Sequence, residues 1–62
     1  MNNLTDLHEQ LKVLFALYVK ESEKFDKEGV KVSAVRARQA LSDLKNLIPD
    51  RRKEIQEIKD NI

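Results

Sequence analysis

Apolar residues recur along this chain at steps of three and four, and the recurrence is interrupted around the only glycine. Before Gly29 the series is Leu4, Leu7, Leu11, Leu14, Tyr18 and Phe25, with Glu21 in the skipped place. After it come Ala34, Ala37, Leu41, Leu44, Ile48, Ile55, Ile58 and Ile62, with Arg51 in the skipped place. A seven-residue apolar repeat is the seam of helices packed in a left-handed coil. The chain is therefore read as all-α, an antiparallel helical hairpin. Helix 1 is expected over about residues 4–28, a turn over about 28–32 and helix 2 over about 33–60.

Local signals mark the same boundaries. Asn3 or Thr5 can cap helix 1. Gly29 suits the left-handed position that ends a helix, with Val30 then placed to touch Phe25 as in a Schellman motif. Ser33 is the expected cap of helix 2. So short a connection makes the helices antiparallel neighbours. In such a hairpin Phe25 faces Ala34, Tyr18 faces Leu41 and Leu11 faces Ile48. Pro49 is the irregularity: it cannot donate to the Lys45 carbonyl and its ring clashes there, a cost of about 3 kcal/mol. Because the repeat resumes in register at Ile55 and Ile58, the expectation is a kink in helix 2, or a restart near Asp50, and not an end.

A chain of 62 residues has little surface to bury, and small domains generally need a staple. Cysteine is absent, so disulfides and thiolate metal sites are excluded. His8 alone could offer an imidazole, so no metal site is expected, nor any cofactor. Oligomerisation is the remaining route. Val13, Phe15, Leu17 and Val19 lie off the seam of helix 1, and Leu47 widens the stripe of helix 2. These five are the expected interface of a homo-oligomeric helical bundle, a homodimer in its simplest form. The longest apolar run, "VLFALYV", falls far short of the roughly 20 residues that span a bilayer, and Met1-Asn2-Asn3 does not begin a targeting signal. A cytoplasmic protein without a membrane role is expected.

Net charge is only +1, but it is unevenly spread. Residues 1–26 carry three basic and five acidic groups, whereas residues 27–62 carry nine basic and six acidic. Lys27, Lys31, Arg36 and Arg38 gather around the turn and the start of helix 2, where the backbone is already partly positive. An anion bound there removes the repulsion, and exposed N–H groups beside cations form a phosphate site. Arg36 points outward and is the best candidate. Arg38 lies near Glu21 across the hairpin, where an ion pair competes with phosphate. In the second basic cluster, residues 51–53, local partners are expected for two, Arg52 with Gln56 and Lys53 with Glu57; Arg51, opposite His8 and Glu9 across the hairpin, is read as a partner of Glu9 or as a specificity residue of the bundle. No nucleophile–base pair, glycine-rich loop or paired-carboxylate pocket is present, so neither an enzyme nor a small-molecule substrate is expected.

Several of these residues also form an ordered set. Glu23-Lys24-Phe25 precedes the turn, Gly29 stands in it, and Arg36-Ala37-Arg38, "LSDLKNL" (residues 41–47) and "RKEIQE" (residues 52–57) follow. The set resembles the small bacterial histone-like proteins of the chlamydial linker-histone-like family, in a short form without the basic tail. The resemblance implies a helical, DNA-associated, nucleoid-type protein; with the cations at the turn and no catalytic constellation, the reading is a non-enzymatic protein that contacts the phosphate backbone of duplex DNA without sequence specificity. The competing reading, equally compatible with the fold, is a homo-oligomeric interaction module or scaffold with no nucleic-acid role.

Overall fold

The computed structural model describes residues 6–62, so Asn3, Leu4 and Thr5 lie outside the described residues. The chain folds as two α-helices, α1 (Leu7–Glu28) and α2 (Lys31–Asp60), packed against one another as a hairpin with no strand among the described residues. Asp6 caps α1: its carboxylate accepts the His8 N–H at 2.8 Å, and its carbonyl accepts the Gln10 N–H. The helix ends at Gly29, whose φ of 69° is left-handed. The Gly29 N–H donates to the Phe25 carbonyl at 2.8 Å. This single bond is the αL form of helix ending, so neither bond of the expected Schellman motif forms and the chain enters α2 at once.

That entry is earlier than the position of Ser33 suggests. Val30 is the N-cap residue, with no side-chain hydrogen bond, and its carbonyl accepts the N–H of both Ser33 and Ala34. Ser33 is thus within the first turns of α2, and it is fully buried against α1. Ala37 and Ala40 are buried beneath it on the same face. Only small side chains fit where two helices converge from a two-residue link.

The seam of α1 follows the expected series as far as the turn: Leu7, Leu11, Leu14 and Tyr18 are half-buried and Glu21 is buried, but Phe25, expected inside against Ala34, is exposed. The seam of α2 follows its expected series only at Ala34, Ala37 and Leu44. Ser33, Ala37, Ala40, Leu44 and Leu47 turn inward, followed by half-buried Arg51 and Glu54. Leu41, Ile48 and Ile55, expected inside, are 47%, 46% and 49% exposed. The helix is rotated by about half a step of the repeat, because its apolar stripe is wider than one partner helix can cover. Close approach at the turn selects the alanine side, which leaves the isoleucine side on the flank.

Helix α2 runs unbroken through Pro49. Pro49 is exposed on the side away from α1, where water can reach the Lys45 carbonyl that proline leaves without a donor. At about 1.5 Å per residue, α2 is roughly 45 Å long, and the hairpin measures 47 × 20 × 14 Å.

Candidate nucleic-acid interface

The grooves lined by described residues are shallow and open. One shallow groove between the helices is lined by Gln10, Leu14, Asp43, Asn46 and Leu47. Among the described residues no group of three or more His, Asp or Glu side chains could hold a metal. No described helix is long and apolar enough to cross a membrane. His8 is exposed. What the molecule presents is its outer faces.

Lys27, Lys31, Arg36 and Arg38 are all exposed, and none is held by a carboxylate. The ion pairs present are Lys12–Glu9 at 3.4 Å and Arg51–Glu54. The expected pairing of Arg38 with Glu21 does not form: Glu21 is buried, its Oε1 without a hydrogen-bond partner, while Arg38 stands one residue past the seam and turns to solvent. Arg51 takes Glu54 from its own helix, leaving Glu9 to Lys12. Gln56 donates to Asp60 at 3.0 Å, and neither an Arg52–Gln56 hydrogen bond nor a Lys53–Glu57 ion pair forms among the described residues. Arg51 takes the partner three residues away because one within the same helix costs less side-chain ordering than one across the hairpin.

The four cations do not share one face. Lys31 and Arg38 are seven residues apart, within about 20° on the helix surface. Arg36 is two residues from Arg38, a rotation of about 200°, and lies on the other flank. That flank is defined by the groove in which Gln10 and Leu14 meet Asp43 and Leu47. The sequence reading grouped these residues by proximity along the chain and missed three cations in step with Lys31 and Arg38: Lys45, Arg52 and Lys59, all exposed. The signal was available, since the seven-residue period applied to the apolar residues also runs through the charges.

Of the expected interface residues, Val13 and Phe15 are 65% and 59% exposed, and Leu17 is also exposed. Val19 and Leu47 are half-buried, Leu47 facing Gln10 and Leu14 across the groove. The Phe15 and Tyr18 rings lie 6.2 Å apart, tilted by 37°. The longest uncovered apolar stripe is the displaced one on α2, and helical rotation places it on the same flank as Phe15, Tyr18 and Phe25.

Two thin helices with exposed cations and uncovered apolar residues on their open faces define a small hairpin protein. Residues 5–61 match the family of the histone H1-like protein Hc1, and the chain belongs to that family. It is a family of nucleoid-associated, DNA-packaging proteins and is non-enzymatic. Comparison with curated proteins and with solved structures gives no match.

Proposed function

We propose that this protein is a bacterial nucleoid component that binds duplex DNA through the phosphate backbone, without reading base sequence, as a homodimer in the cytoplasm. The observation that carries the reading is that Lys27, Lys31, Arg36 and Arg38 are exposed and unpaired around a helix start with no acidic residue in its first turn. Charges left free of local partners are available to phosphates, and phosphate contacts hold a duplex without specifying its sequence. Titration of unrelated duplexes tests it. Affinity should be alike for all of them and fall steeply as salt rises from about 50 to 200 mM, through counterion release. Absence of duplex binding at the lower salt and tens of micromolar protein would remove the reading.

The second reading is an oligomeric interaction module, favoured by the exposed apolar flank of Leu41, Ile48 and Ile55 together with the small net charge of +1. It predicts the same assembly with no duplex binding, so the same titration separates the two.

A further inference from the structure

We propose that Lys31, Arg38, Lys45, Arg52 and Lys59 form one phosphate-binding ridge along the length of α2, used to lay the helix along a DNA duplex. The proposal rests on the DNA-binding reading above and extends it from the turn to the whole helix.

The five residues occupy successive positions seven apart. Seven residues bring a helix nearly two full turns round, with a drift of about 20° per step, so the side chains emerge as a single slowly winding row. With only 12 basic residues in 62, five consecutive places of one repeat would seldom fill with cations by chance. All five are exposed, and none belongs to either ion pair of the described residues.

Between Arg38 and Arg52 the ground on both sides of the row is free of carboxylates. Toward α1 stand Ala34, Leu41, Ile48 and Ile55; on the outer side stand Val35, Ser42, Pro49 and Gln56. Of the acidic residues of α2, Asp43, Asp50 and Glu57 lie on the opposite flank with Arg36, Glu54 is turned into the seam and paired with Arg51, and Asp60, next to Lys59 at the far end of the row, accepts from Gln56 at 3.0 Å. The small net charge thus comes from segregated charges and not from diluted ones. A one-signed row beside a low-dielectric apolar strip projects a stronger field than the total charge implies.

The spacing suits a duplex. Successive cations are about 10.5 Å apart along the helix and the row is about 42 Å long. One step therefore matches the rise of about three base pairs at 3.4 Å each. The whole row exceeds one duplex turn of about 34–36 Å, so α2 laid along the axis meets the backbone on both edges of a groove. Long Lys and Arg side chains cover the remaining distance to the phosphates.

The experiment is fluorescence anisotropy of the full chain on a mixed-sequence duplex of about 24 base pairs, across a range of salt. Lys45→Ala and Arg52→Ala should each weaken binding several-fold at low salt and flatten the plot of log affinity against log salt by about 0.9. Lys20→Ala and Lys53→Ala, which remove cations off the row, should leave the slope unchanged. Circular dichroism of each variant confirms intact helices. Unchanged affinity and slope for both ridge variants, with the parent binding duplex, would overturn the ridge and leave the DNA-binding reading standing. Equal losses from the off-row variants would also overturn it, in favour of a diffuse field. A parent that does not bind duplex at low salt overturns both. Ridge variants that lose binding to phosphatidylglycerol vesicles while keeping duplex affinity would assign the row to an anionic membrane and overturn the proposal.

Discussion

At Gly29 the backbone is left-handed, with φ at 69°, yet a Cβ added there would meet nothing within 4 Å. The requirement for glycine is therefore one of backbone energy and not of space. Gly29→Ala should cost about 1–2 kcal/mol, read as a lower denaturation midpoint with the helical content of the folded state unchanged. Ser33 is the reverse case. Its hydroxyl is fully buried with no hydrogen-bond partner, and an unsatisfied buried polar group costs about 1–3 kcal/mol. Ser33→Ala should stabilise the hairpin by about 1 kcal/mol, because the alanine fits the same space and favours helix. A loss of stability in urea titration would mean that the hydroxyl does find a partner. The two residues differ in how much their sequence context disclosed. A lone glycine between two periodic segments has one plain conformational role, and the structure gives it that role. A serine three residues after a valine reads equally as a cap or as a small seam residue, and only the two-residue link decides for the second.

Across whole helices, the period of the apolar residues disclosed that there are two elements and that they pack together, but not which face of α2 turns inward. Leu41, Ile48 and Ile55 are more hydrophobic than Ser33 and Ala40, so a reading by hydrophobicity chose them. Packing against a close neighbour instead rewards small volume at the turn end, a property of the pair of helices and not of either alone. The ridge of cations was missed for a related reason: periodicity was sought where burial was expected, and charges were judged in clusters along the chain. Pro49 belongs at this scale too. It lies inside a continuous helix at an exposed position, so its cost falls on the Lys45 carbonyl and on local bending. Pro49→Ala should raise stability by up to about 3 kcal/mol, seen as a higher melting temperature, and should straighten any bend there. Destabilisation would show that the proline fixes a geometry the packing requires.

For the whole molecule the decisive quantity is surface. The hairpin exposes 5102 Å², whereas a compact monomer of 7.2 kDa is expected to expose about 4,100 Å². The excess is about 1,000 Å², slightly more than the roughly 800 Å² each partner loses in a standard protein–protein interface. The fully buried hydrophobic residues among those described are Ala37 and Ala40, too little for a stable fold on their own. A second copy covering the flank of Leu41, Ile48 and Ile55 would supply the missing core, and it would leave the cations beside that flank at its rim, in contact with solvent and phosphate. Mass by light scattering should therefore be that of a dimer, and helicity should fall together with mass on dilution. Ile48→Glu places a charge in the middle of the flank without touching the seam between α1 and α2, so it should dissociate the dimer and unfold the hairpin together. Leu17→Glu, on the opposite flank, distinguishes the faces: dissociation by Leu17→Glu and tolerance of Ile48→Glu would move the interface to the side of Val13 and Leu17. A fully helical monomer at low micromolar concentration would contradict both placements, and the exposed isoleucines would then have to be covered by a different protein.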